Sequence, residues 1–381
     1  MRPSVDCGAI RSRETSLRIE WLDGTQSEFA SIWLRDNLPE DRDARSGQRL
    51  IDVTQLPVDP RIAAATLADR HVCIEWRDET RVSRIALDWL HEQATVQDRR
   101  PELAVRAWLE GATLEPKRDF AWRALAVLQA DPRERLRWLT RLLQDGIAFL
   151  SEVPPIDAGI LEAVEIVGRI AETNYGRVFD VRTVAEPENL AYSDLGLGLH
   201  TDNPYREPVP GFQALHVLVA APDGGDSLFA DGFALAEYLR GSAPETFATL
   251  TCTAVPFVYQ SRDADLYAQR PLIELSCAGA IAAVNYNSRS IAPLQLAAQH
   301  CASFYSAYRH FANLLREPRF QASARLANGD LALFDNRRIL HGRTKFASSR
   351  YARHLRGCYL TRDSVYSATA LLRRQCAAEG S

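Results

Sequence analysis

Leu195-Gly196-Leu197-Gly198-Leu199 runs into His200-Thr201-Asp202, and Asn203-Pro204 stops it. The apolar approach and the Asn-Pro stop read as a strand ending beside a loop, a place where functional side chains concentrate. Residues i and i+2 of a strand share a face. His200 and Asp202 are therefore expected to offer an imidazole and a carboxylate to one metal ion. A His-x-Asp pair by itself is more often a turn or a capping group. A second stretch answers it: Phe334-Asp335-Asn336-Arg337-Arg338-Ile339-Leu340-His341-Gly342-Arg343. With His341 as the third ligand, the set is two imidazoles and one carboxylate. Such a set suits ferrous iron and leaves coordination positions open for a cosubstrate and oxygen. Ligands so far apart in sequence require distant strands to meet, which an antiparallel jelly roll achieves easily.

Composition narrows the class. The chain has 381 residues, 46% hydrophobic, and a net charge of −4. That charge gives no reason to expect a nucleic acid or an anionic membrane as partner. No run of roughly 18 apolar residues marks a membrane span, and Met1-Arg-Pro-Ser-Val-Asp-Cys7 has no apolar signal core. Seven cysteines are scattered, with no C-x-x-C pair, as reduced thiols in a cytoplasm would be. Neither GxGxxG nor GxxxxGK[ST] occurs, which sets nucleotide-dependent chemistry aside.

Residues 1–100 are expected to form a small β-rich domain. Leu17-Arg-Ile-Glu-Trp-Leu22 alternates before a turn at Asp23-Gly24, and Val72-Cys-Ile-Glu-Trp-Arg77 does the same before Asp78-Glu79, giving two similar hairpins. A short helix is expected over Leu87–Gln93. Residues 101–119 read as a linker and 120–381 as the catalytic domain. Within the latter, helices are predicted over Phe120–Asp145, with Pro132 at a first-turn position, over Ile156–Thr173 and over Pro293–Leu315. Strands are predicted at 146–150, 212–220, 281–286 and 330–334. Many short strands with a few helices favour an α+β architecture: a double-stranded β-helix, or jelly roll, with flanking helices.

Arg353 follows His341 by twelve residues. His-x-Asp, a distant His and an Arg about a dozen residues on resemble the Fe(II)- and 2-oxoglutarate-dependent dioxygenases of the taurine dioxygenase superfamily. Asn189-Leu-Ala-Tyr192, Gly224-Gly-Asp-Ser227 with Asp231-Gly232, Phe334-Asp-Asn336, Leu340-His-Gly-Arg343, Arg353-His-Leu355 and Trp33-Leu-Arg-Asp-Asn37 are similar to the γ-butyrobetaine dioxygenase family. That resemblance implies Fe(II), 2-oxoglutarate and O2, with ascorbate as activator. It implies that Arg353 grips the far carboxylate of 2-oxoglutarate, and that a small-molecule substrate is hydroxylated.

The resemblance also implies an aromatic cage for a trimethylammonium group at Tyr175, Phe179, Tyr192 and Tyr359. A quaternary ammonium donates no N–H bond and is held by the faces of rings. Asn189 and Asn287 match positions that contact the substrate's carboxylate. Asn203 departs from the Tyr often found in relatives, and Arg289 has no expected counterpart. An added guanidinium suits a phosphonate, so the expected substrate is 2-(trimethylammonio)ethylphosphonate, with γ-butyrobetaine (carnitine synthesis) as the alternative. The family's zinc site is expected to be absent, because Leu38-Pro-Glu-Asp-Arg-Asp43 carries no cysteine. A homodimer is implied by the resemblance. Two other classes stay open at this point: a non-catalytic quaternary-ammonium binding protein, and a zinc hydrolase using the same three ligands.

Overall fold

The computed structural model describes residues 6–95, 104–109, 114–182, 196–346 and 353–379. The chain forms two compact units, Met1–Pro101 and Glu102–Ser381.

The smaller unit contains two three-stranded antiparallel sheets. One joins Cys7–Arg13, Ser16–Trp21 and Gln26–Ala30; the other joins Ile62–Ala68, His71–Trp76 and Val82–Ala86. The period-two pattern buries Leu17, Ile19 and Trp21 in the first, and Val72, Ile74 and Trp76 in the second. The two Ile-Glu-Trp strands end alike. The Trp21 indole N–H donates to Ser27 Oγ at 2.8 Å, and the Trp76 indole N–H to Ser83 Oγ at 2.9 Å. Trp33 stacks between Phe29 and Trp89, at 5.3 and 5.5 Å. The expected short helix runs over Leu87–Thr95.

The cysteine-free loop is braced by charge. It makes a single 3-10 turn, Pro39–Asp41. The buried Arg35 guanidinium donates to Asp41 at 2.6 Å and to both Glu79 oxygens at 2.7 and 3.1 Å. Removing one partner of such a buried group leaves the others uncompensated, which costs about 3 kcal/mol. Arg35→Ala should therefore lower the stability of this unit by about that much in denaturant unfolding followed by tryptophan fluorescence. The transition of this unit in the unmutated chain should not move when EDTA is added, whatever EDTA does to the larger unit. An equal loss with EDTA would instead point to a metal holding the loop.

The larger unit is built on two sheets. In one, the order is Phe179–Arg182, His354–Leu360, Phe212–Val219, Leu331–Asp335, Ile147–Ser151, Ala121–Ala124, with Ile170–Ala171 also paired to His354–Leu360. The other runs Leu197–His200, Ile339–Arg343, Ser227–Asp231, Ala322–Ala324. A core of Phe149, Val217, Ala332, Phe334 and Leu355 from the first sheet meets Phe229, Ala322 and Ile339 from the second. This is the jelly roll expected, with helices on both outer faces. Pro132–Asp145, Gly159–Glu165 and Arg362–Ala378 cover one sheet. Gly232–Ser242, Pro244–Cys252 and Ala298–Leu314 cover the other.

Three predicted helices are shorter than their patterns, and the one expected over Pro293–Leu315 spans Ala298–Leu314. Phe120–Asp145 opens with the strand Ala121–Ala124, paired in parallel with Ile147–Ser151. A short helix, Leu125–Ala130, follows, and the helix restarts at Pro132 as expected, capped by the Asp131 carboxylate on Arg133 N–H and Glu134 N–H and ending at Gly146 with φ +78°. Over Ile156–Thr173 only Gly159–Glu165 is helical. Beyond it Gly168 lies against Ser364 and Val365 so closely that a Cβ would stand 2.7 Å from Ser364 Oγ. Residues 104–109 of the presumed linker pack on the larger unit. Trp108 N–H donates to the Asp231 carboxylate at 3.1 Å, and Arg338 donates to Arg106 O at 2.8 Å. Among the described residues no helix is long and apolar enough to cross a membrane.

Candidate metal centre and substrate pocket

His341 lies on the Ile339–Arg343 strand directly across from His200 in antiparallel register, and their ring centroids are 4.4 Å apart. The two distant strands meet as expected. Asp202 reaches the same point differently. The strand Leu197–His200 has already ended, so the expected i, i+2 sharing of a strand face does not hold. A bend held from elsewhere replaces it. Thr201 N–H donates to Tyr286 O at 2.8 Å, and Tyr286 N–H donates to Thr201 Oγ1 at 2.9 Å. Asn336 clamps the next residue. Its Oδ1 accepts from Asp202 N–H at 2.7 Å, while its Nδ2 donates to Asp202 O at 3.0 Å and to Pro210 O at 3.2 Å.

One ligand atom from each of His200, Asp202 and His341 lies within 4.8 Å of the others. His200 Nε2 is 3.2 Å from Asp202 Oδ1, and His341 Nε2 is 3.8 Å from Oδ2. His200 Nδ1 lies 2.9 Å from Gly198 O. A proton placed there leaves the Nε2 lone pair facing the carboxylate. Burial opposes the charge on Asp202, but the neighbouring imidazoles of His341 and His200 and the hydrogen bond from the Tyr359 hydroxyl outweigh it and hold the carboxyl well below the usual range. Burial, with His200 beside it, pulls His341 down to about 3. The set is thus one charged carboxylate and an imidazole kept neutral, both sunk in the protein and converging on one point. Those are the protonation states that a divalent transition ion requires.

The three face a cavity of about 430 Å³. On one side lie Tyr175, Phe179 and Tyr359, with ring centroids 6.1 Å (Tyr175 to Phe179) and 5.1 Å (Phe179 to Tyr359) apart. Phe179 can cross its neighbour only because that neighbour is Gly357: a Cβ there would stand 2.4 Å from the Phe179 ring. Tyr205 and Tyr259 extend the aromatic wall, stacked at 5.1 Å. Tyr192 and Asn189 fall outside the described residues.

Polar groups line the rest of the cavity. Asn203 adopts a left-handed φ of +56°, which asparagine tolerates better than most residues. Its Oδ1 accepts from the Tyr205 hydroxyl at 2.7 Å, and its buried Nδ2 has no partner among the described residues. Asn287 is partly engaged in the protein: its Nδ2 donates to Thr201 O at 3.2 Å and its Oδ1 accepts from Arg289 N–H at 3.3 Å. Arg289 is solvent-accessible yet lines the cavity, and its charge is felt at Asp202 and His341. Arg353 is buried and forms no ion pair among the described residues. Burial, then the neighbouring Arg343, presses it down to about 10. Both guanidiniums flank Phe346, at 5.3 and 5.8 Å from its ring. A buried cation beside another cation calls for an anionic guest.

Residues 112–359 match the model of the taurine catabolism dioxygenase TauD, TfdA family, and residues 9–91 match the γ-butyrobetaine hydroxylase-like N-terminal domain. The chain belongs to that dioxygenase family. The dioxygenase is 35% identical to γ-butyrobetaine dioxygenase of Pseudomonas sp. (strain AK-1), over 94% of each chain. It is 31% identical to dioxygenase str8 of Strobilurus tenacellus, over 91% of this chain and 86% of that one. It is 28% identical to mitochondrial trimethyllysine dioxygenase of Gallus gallus, over 93% and 86%. The dioxygenase is therefore an enzyme of the Fe(II)- and 2-oxoglutarate-dependent class, with O2 as oxidant.

Tyr205, Tyr259, Arg343 and Asn336 stand at the cavity or its clamp although their sequence positions suggest no role. Arg343 was within reach, because it stands two positions past His341 on one strand and so shares its face. The two tyrosines lie on loop and hairpin positions that carry no local signal.

Proposed function

We propose that the dioxygenase hydroxylates a small zwitterion bearing a trimethylammonium group, and that this is 2-(trimethylammonio)ethylphosphonate. The observation that carries the reading is one cavity in which aromatic rings form one wall while donors, Asn203 Nδ2 and the Arg289 guanidinium, join the metal triad on the others. His200, Asp202 and His341 would hold the iron. Bound iron, with 2-oxoglutarate and O2, supplies the oxidising power that places one oxygen atom on a substrate carbon while the keto acid leaves as succinate and CO2. The protein's own work is placement. Arg353 holds the far carboxylate of 2-oxoglutarate. Tyr175, Phe179 and Tyr359, with Tyr192 in the same reading, hold the quaternary ammonium by their faces. Asn189, Asn287 and Arg289 hold the anionic end.

The second reading is γ-butyrobetaine, favoured by the likeness to enzymes named for it. Arg289→Ala distinguishes the two. A charge-assisted hydrogen bond contributes about 1.5–3 kcal/mol, so kcat/KM for the phosphonate should fall about 10- to 100-fold. The value for γ-butyrobetaine should change far less. Equal losses on the two substrates would remove the reason for preferring the phosphonate. The seven cysteines are all unbridged, in keeping with a cytoplasmic site of action. The homodimer rests on the resemblance alone, and its test is the mass of the chain in solution.

A further inference from the structure

Tyr359 takes part in two structures at once. It is buried on the His354–Leu360 strand, opposite Gln213 in the sheet. Its ring faces Phe179 at 5.1 Å, on the aromatic side of the cavity. Its hydroxyl points the other way and donates to Asp202 Oδ2 at 2.8 Å. A cage needs only the ring; phenylalanine would serve, as it does at position 179. The hydroxyl is therefore an addition whose one hydrogen-bond partner among the described residues is the carboxylate of the metal triad.

That contact resolves a problem of geometry at Asp202. An aspartate can give a metal one oxygen or two. A carboxylate that gives a metal one oxygen would leave more of the site open for a cosubstrate and oxygen than one that gives two. Two restraints act on Asp202. Asn336 fixes its backbone from both sides, through Asp202 N–H and Asp202 O. The remaining freedom is rotation of the carboxylate, and the Tyr359 hydroxyl stops it by occupying Oδ2. Oδ1, the oxygen nearer His200 Nε2, is then the one presented.

We propose that Tyr359 is a positioning residue of the metal centre, its hydroxyl holding Asp202 as a one-oxygen ligand while its ring closes the substrate cage. The side chain thereby ties the place where the substrate's cation sits to the ligand that faces the iron. The proposal rests on the trimethylammonium reading only for the ring's half of the role.

Tyr359→Phe separates the halves, because it keeps the ring and deletes one oxygen. The full chain is titrated with Mn(II), without substrate, and free ion is counted by electron paramagnetic resonance. Loss of an outer hydrogen bond to a ligand weakens metal binding about 10- to 100-fold, so the dissociation constant should rise at least about tenfold. Phe179→Ala should show the opposite pattern, with Mn(II) affinity unchanged and affinity of the loaded protein for trimethylated substrates reduced. Equal Mn(II) affinity in Tyr359→Phe and the unmutated chain would overturn the proposal. So would a metal-free Tyr359→Phe chain that melts far below the unmutated one, for the hydroxyl would then be supporting the barrel and not the ligand. The titration contains no substrate. If no trimethylammonium compound is turned over, the proposed function fails while the role of the hydroxyl is still decided.

Discussion

His200→Ala should fold as the unmutated chain does and lose succinate formation coupled to substrate. The reason is local. His200 ends its strand, its ring is packed against that of His341, and its Nε2 points at Asp202. Deleting the ring removes one of three ligands and leaves the Asn336 clamp and the antiparallel register untouched. Circular dichroism and melting of the metal-free protein should match those of the unmutated chain. Metal binding and coupled turnover should fall below detection, since two ligands do not retain a labile divalent ion that must also accept a cosubstrate. Undiminished turnover would refute the ligand assignment.

Arg353→Ala should act on 2-oxoglutarate and leave metal binding alone. Arg353 is buried and unpaired among the described residues, with Arg343 beside it. Removing one member of a desolvated, hydrogen-bonded charge pair costs about 2–5 kcal/mol. The KM for 2-oxoglutarate should therefore rise at least about 30-fold, with Mn(II) affinity unchanged. Arg353→Lys should recover only part of the loss, because an ammonium lacks the planar fork that matches a carboxylate. An unaltered KM in Arg353→Ala would pass the role of anchor to Arg343, which lines the same cavity.

The legibility of this protein followed the range of the interactions involved. Strands such as 147–151 and 212–219, and the pairing that brings His341 to His200, announced themselves through short apolar runs and ligand-type residues. Asp202 does lie beside His200 and His341, but not through a shared strand face: its position comes from Asn336, 134 residues away, and no local pattern encodes that contact. The strand Ala121–Ala124 was hidden in a helical pattern because its pairing with Ile147–Ser151 overrides local preference. The helix over Ile156–Thr173 stops early where Gly168 meets the C-terminal helix at Ser364 and Val365. Phe179 and Tyr359 could be matched as rings. That Tyr359 also holds Asp202, and that Gly357 makes room for Phe179, are facts of tertiary packing alone.

Of all available measurements, succinate release reports most directly on the joint action of the triad, Arg353 and the cage. The chain is incubated with Fe(II), 2-oxoglutarate, O2 and ascorbate, and offered 2-(trimethylammonio)ethylphosphonate, γ-butyrobetaine, trimethyllysine or the unmethylated aminoethylphosphonate. Succinate should form in step with hydroxylated product for a trimethylated compound, fastest for the phosphonate, and should not rise above background for the primary amine. Equal stimulation by the unmethylated amine, or none by any trimethylated compound, would contradict the account.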